Sequence, residues 1–152
     1  MPHDTAGVEE GFWGVERVAR LFPARGWIDA GAQVSAGSDF PVGRFGAMRS
    51  VWGMVTRETV VGVRGPEHAI GYEEALALHT VNAVRLLGEE RSRGSLTPGR
   101  LADLTVWERD PADCAGDVLR DLLPAHTVLG GRWVTGADAG AGAGAGDRGD
   151  AG

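Results

Sequence analysis

The sequence predicts an α/β chain in which helices feed short extended segments, followed by a mainly extended region. Three observations carry this. Apolar residues recur at three- and four-residue steps in Val15–Phe22, Met48–Val55 and Leu76–Leu87, as they do on one face of a helix. Leu101–Trp107 alternates side to side, as a strand with one apolar face does. Two apolar runs flank Gly130-Gly131, a good hairpin signal. These patterns divide the chain into residues 1–90, residues 91–136 and a Gly/Ala-rich stretch over residues 137–152.

In order, the opening Met1-Pro2-His3-Asp4 is too short and polar to form an element. A short amphipathic helix is expected between Phe12 and Phe22, ended by Pro23. Trp27, Ile28 and Ala30 lead through Gly31 into Ala32-Gln33-Val34-Ser35-Ala36, which reads as a buried strand ending at Gly37. Pro41 cannot donate to a ladder and closes it. Gly43–Gly46 is a loop, and Ala47–Arg57 a helix with Met48, Val51, Trp52 and Val55 on its buried face. Val60–Ile70, with two glycines and Pro66, reads as a loop near an active-site mouth. A helical stretch runs from Gly71 to Leu87, acidic in its first turn and stopped by Gly88, with a break expected at His79, Thr80 and Asn82. Pro98-Gly99 suits the centre of a type II turn. Asp110-Pro111 turns the chain, and Val118–Leu122 forms a helical turn closed by Pro124. The hairpin follows, and residues 137–152 lack the side chains to build a core, so a disordered tail is expected there.

Composition narrows the function. At 152 residues the chain is long enough for one modest core and too short for a whole (β/α)8 barrel, which takes about 250. A net charge of −6 argues against nucleic acid or an anionic membrane as partner. All 15 basic residues are arginine, which removes lysine Schiff-base chemistry. The single cysteine, Cys114, permits no internal disulfide and no cysteine zinc cluster. No apolar run has the length of a membrane span and no leader pattern opens the chain, so a cytoplasmic protein is the expectation.

Asp39 is the residue on which chemistry centres. After Gly37-Ser38 it has two readings: turn or helix-capping chemistry, or a carboxylate at a strand's carboxyl end, able to hold a divalent metal or take a proton from water. Ser38 beside it is a candidate substrate contact. His3 is either a terminal histidine without a role or a ligand or substrate contact. Arg57 is either a cation at a helix C-terminus or a partner for an anionic substrate group. His79 reads as structural or surface-lying.

Gly37-Ser38-Asp39-Phe40-Pro41-Val42, the helical Glu73–Gly88 with Thr80 and Asn82 inside it, Gly94–Leu104 and the closing Thr127–Val134, in that order, resemble the C-terminal part of metal-dependent amidohydrolases, in particular the YtcJ-like branch. The likeness runs from about Pro2 to Gly136. It implies the last one or two strands and helices of a (β/α)8 TIM barrel, followed by strands of a small β-sandwich. Asp39 matches the aspartate at the end of the eighth barrel strand, which holds a divalent metal, usually zinc, and serves as general base toward its bound water. The implied activity is hydrolysis of a non-peptide carbon–nitrogen bond in a small-molecule substrate.

The histidine pair and middle-strand ligands of such proteins have no counterpart here. One carboxylate cannot build a catalytic zinc site, which takes about three protein ligands. The resemblance therefore implies a complementing N-terminal chain or self-association through uncovered apolar surface. A catalytically inactive remnant serving as a binding or assembly module is the alternative.

Overall fold

The computed structural model describes residues 3–42 and 44–135. The expected tail over residues 137–152 lies outside them, as does Gly43 of the expected loop.

The helix expected between Phe12 and Phe22 is present as the shorter α2, Val15–Ala19, and an unexpected helix α1, Ala6–Trp13, precedes it; Gly14 at φ 80°, a conformation that breaks the ladder, separates the two. Helix α3, Ala24–Asp29, includes Trp27 and Ile28, to which the sequence assigned no element. Pro23 both stops the preceding turn and opens α3, its carbonyl accepting from the Trp27 N–H at 3.1 Å. Gly31, at φ 76°, ends α3 in a Schellman arrangement: Ala32 N–H donates to Trp27 O and Gly31 N–H to Ile28 O.

Residues 32–39 form no strand, which corrects the expectation for Ala32–Ala36. A strand exists only through a ladder partner, and this segment has found another host. Helix α4 spans Ala47–Thr56, α5 Tyr72–His79 and α6 Val81–Leu86. The break between α5 and α6 falls at Thr80, as expected, with its hydroxyl bonded back to Leu76 O at 2.9 Å. In an unbroken helix Leu78 O would accept from Asn82 N–H. The break releases that carbonyl, which accepts from Ala36 N–H at 3.0 Å, while the Asn82 side chain donates to Val34 O at 3.0 Å. Thr80 and Asn82 thus stitch the segment that leads to Asp39 onto the α5–α6 joint. Asn82→Ala is expected to loosen that segment, raising amide exchange at Ala36 with little change at α4; hydrogen exchange checks this.

Helix α4 is the centre of the core. Met48, Val51, Trp52 and Gly53 are buried, and Val55 packs beside them half-buried. Around them lie Ala24 of α3, Ile70, Ala75 and Leu78 of α5, and Leu119 of α7, Gly116–Arg120. The loop after α4 includes a 3-10 turn at Pro66–His68. Gly65, at φ 58°, packs so closely that a Cβ would fall 2.0 Å from Ala19 O. Arg25 joins α3 to α5 through two 2.9 Å bonds to the Glu74 carboxylate, and Glu74 accepts from Gly71 N–H at the start of α5. The Gly71 N–H and the Arg25 guanidinium hold that carboxyl below its usual range.

His79, at the end of α5, has Nε2 buried without a hydrogen-bond partner among the described residues, and burial lowers its pKa. The native state therefore favours the neutral ring, and the unfolded chain binds the extra proton. Its contribution to stability is complete above the unfolded value of about 6.5 and is lost as pH falls from there through the lower folded value. The urea midpoint should fall on acidification through this window, with a shallower slope in His79→Gln.

Beyond Gly88 the chain turns at Thr97–Arg100, where Gly99 sits at φ 88° and Arg100 N–H donates to Thr97 O at 3.2 Å, as a type II turn requires. Strand β1 is shorter than expected, Leu104–Val106, and pairs with β2, His126–Leu129, which pairs with β3, Arg132–Thr135. All pairings are antiparallel, and Gly130-Gly131 joins the hairpin with φ of 56° and 80°, the primed turn that suits strand twist. Between β1 and β2 a 3-10 turn at Pro111–Asp113, capped by Asp110, leads to α7. Among the described residues this is one three-stranded sheet with helices, without a closed barrel or a second sheet. No described helix is long and apolar enough to cross a membrane.

Candidate active-site cleft

A cleft of about 340 Å³ opens between the N-terminal segment, residues 34–39 and the start of α4. Trp27, Val34, Met54 and Leu78 give it apolar walls, while His3, Asp4, Ser38, Asp39, Arg44, Arg49 and His68 bring polar groups to it. Such a mixture is what small-molecule sites share: apolar area for binding and a few polar groups for orientation.

All four residues singled out from sequence, His3, Ser38, Asp39 and Arg57, border the cleft. Asp39 lies on the rim, exposed, at φ 54°, with its carbonyl accepting from Val42 N–H at 2.8 Å. It occupies a turn, not the end of a strand. Among the described residues its carboxylate has neither hydrogen bond nor ion pair, and so is open to a ligand. Ser38 Oγ accepts from Phe40 N–H at 3.4 Å, so the Ser-Asp pair shapes the turn and lines the cleft at once. His3 is packed: its side chain is 15% exposed, its ring meets Trp52 edge-on with centroids 4.8 Å apart, and Nδ1 lies 3.2 Å from Glu58 O.

Arg57 is different. It also borders the cleft, but its side chain is buried and spans to the end of α2, donating to the carbonyls of Ala19, Leu21, Phe22 and Arg64 at 2.9–3.2 Å. Four of its five N–H groups are thereby used. It caps a helix terminus, though that of α2 and not its own, and burial lowers its pKa from the usual guanidinium value. The geometry gives it a structural role in place of the anionic substrate contact.

Sequence reasoning missed Asp4, Arg44, Arg49 and His68. Arg49 Nη2 donates to Asp4 Oδ1 at 2.8 Å, and Arg44 Nε stands 3.9 Å from the other Asp4 oxygen. His68 enters from the 3-10 turn. No local pattern marks these residues, since Asp4 and Arg49 meet only on folding. Asn82, by contrast, is marked in the sequence as part of the expected helix break, and the fold adds its bond to Val34 O.

Among the described residues no three His, Cys, Asp or Glu side chains come together to hold a metal ion. Asp39 supplies one donor, where a catalytic zinc takes about three. The described residues do not make a complete metal centre.

The model of the Amidohydrolase family matches residues 4–135. The chain is 39% identical over 113 residues to an N-substituted formamide deformylase of Arthrobacter pascens, covering 74% of this chain and 21% of that protein. It is 27% identical over 125 residues to the putative amidohydrolase YtcJ of Bacillus subtilis, covering 80% and 24%, and 34% identical over 113 residues to an imidazolonepropionase of Porphyromonas gingivalis, covering 74% and 25%. The chain thus spans about a fifth to a quarter of the length of these curated relatives. No solved structure matches it. With 132 consecutive residues matched by its model, the chain belongs to the amidohydrolase family.

Proposed function

We propose that the chain is the C-terminal portion of an amidohydrolase-type hydrolase, acting on a non-peptide carbon–nitrogen bond of a small molecule once the remaining portion is supplied. The observation that carries this reading is the family match across residues 4–135, with Gly37-Ser38-Asp39 at the mouth of the cleft. Two relatives, named for deformylation of N-substituted formamides and for imidazolonepropionase activity, support the bond class. In this reading the segment before Asp39 becomes a barrel strand when neighbouring strands pair with it, and β1–β3 belong to a small sandwich.

Asp39 accepts a proton from the attacking water as the carbon–oxygen bond forms, then returns it to the leaving nitrogen as the carbon–nitrogen bond breaks. A divalent metal, with zinc the first candidate, would need ligands from outside the described residues beside Asp39. Large apolar side chains left uncovered, among them Phe12, Phe45, Leu86, Leu87 and Leu96, each 70% exposed or more, support a unit that another polypeptide completes. The same observation favours the second reading, an inactive module that binds or assembles.

Mixing separates the two. The purified chain is expected to show no hydrolysis of an N-substituted formamide by itself and to gain it with the complementary portion of the Arthrobacter pascens deformylase. Tight association without turnover would support the module and overturn the hydrolase.

A further inference from the structure

We propose that two copies of this chain pair through the open backbone edge of residues 33–37, antiparallel, about a two-fold axis at Ser35. The pairing holds whether or not the chain serves a hydrolase. Val34 O accepts from the Asn82 side chain and Ala36 N–H donates to Leu78 O, both at 3.0 Å. Bonds from alternate residues to one neighbour are what an extended chain makes along one of its edges. The α5–α6 joint therefore stands where a neighbouring strand would, and on that side alone.

The opposite edge presents the N–H and C=O groups of Gln33, Ser35 and Gly37, none of which forms a hydrogen bond among the described residues. Gln33 and Gly37 are exposed and Ser35 is half-buried. Such a row of unpaired groups is a template for another strand. The outer strands of the sheet are better guarded, because charged residues on an edge oppose strand addition. Strand β3 carries Arg132, and the three-residue β1 lies between Asp103 and Glu108. Residues 32–37 carry no charge at all.

A second copy meets every requirement of this edge. Antiparallel pairing of a segment with itself is two-fold, and Ser35 opposite Ser35 puts Gln33 opposite Gly37, so all three residues exchange both their bonds with the facing copy. No like charges face each other along the segment, although each chain carries a net charge of −6. Two strands alone are marginal in water. Phe40, Val42 and Phe45, just beyond the segment and 63%, 76% and 82% exposed, supply apolar area for the same contact.

Sedimentation of the full chain is expected to show a monomer–dimer equilibrium with its midpoint at about 10–100 μM. Amide exchange at Gln33, Ser35 and Gly37 should be slowed about fivefold at ten times the midpoint concentration, as mass action gives. Ala36, already bonded to Leu78 O, should change little. Ser35→Lys and Ser35→Glu each set like charges directly opposite across the axis and should weaken the dimer about fivefold, while mixing the two variants should restore it. A parent chain that stays monomeric over this range, exchange at the three amides that ignores concentration, variants that dimerise as tightly as the parent, or no recovery on mixing would each overturn the proposal. Protection of these amides only after the complementary portion of the deformylase is added would assign the edge to that partner and overturn the pairing of copies.

Discussion

Replacing Trp52 with alanine is expected to cost about 3–5 kcal/mol of stability, the range for deleting a large aromatic from a close-packed core. Trp52 is the largest fully buried side chain in the described structure and stands on α4, against which α5 and α7 pack. The His3 ring meets it edge-on, and the Arg120 guanidinium lies 5.5 Å from its ring centre. Alanine would remove these contacts and leave a void that the surrounding helices, tied by separate hydrogen bonds, fill only in part. Against a total of about 5–15 kcal/mol for an ordinary domain, such a loss brings the chain close to unfolding. Trp52→Phe should recover a large share of it, since the indole Nε1 has no hydrogen-bond partner among the described residues and its removal strands no acceptor. Urea denaturation of both variants checks this; a loss below about 1 kcal/mol for alanine would mean that the core is centred elsewhere.

What could be read in the sequence was whatever is decided locally. Met48, Val51 and Trp52 fall on one face of a helix by spacing alone, and α4 formed there. Thr80 and Asn82 interrupt an apolar stripe, and the helix breaks at Thr80. Gly99 and Gly130-Gly131 sit at the positive φ their turns require.

What could not be read depends on partners far along the chain. Ala32–Ala36 has a strand's composition, but a strand is a property of two segments, and its donors and acceptors went to Leu78 and Asn82. Arg57 reaches carbonyls 35–38 residues back, so neither its burial nor its role has a local signature. Helix α1 was hidden by Gly7 and Gly11, two poor helix formers within eight residues, and α3 by Pro23, which punctuates in both directions. At the site, the motif pointed to Asp39 and its likeness to a family, whereas Asp4, Arg44 and Arg49 are brought together only by the fold. The unpaired segment ahead of Asp39 leaves the family assignment intact, because the family model matches residues 4–135 and not that segment alone.

Asp39→Asn is expected to lower turnover of the mixed assembly by about a hundredfold or more, the lower end of what a positioned general base supplies. Asparagine has the shape of aspartate but cannot accept the proton from water. It is also among the residues that tolerate the left-handed backbone found here, φ 54°, so the turn should survive the change. The side chain is exposed and makes no hydrogen bond or ion pair among the described residues, and stability should stay within about 0.5 kcal/mol of the parent. Lost activity would then report chemistry and not folding.

The decisive measurement is therefore the initial rate of N-substituted formamide hydrolysis by the mixed assembly, parent chain against Asp39→Asn, at equal and verified association with the complementary portion. A clear rate for the parent and at least about a hundredfold less for the variant is the predicted result. Equal rates, or no rate from the parent assembly, would contradict the assignment of Asp39 as the group that moves the proton.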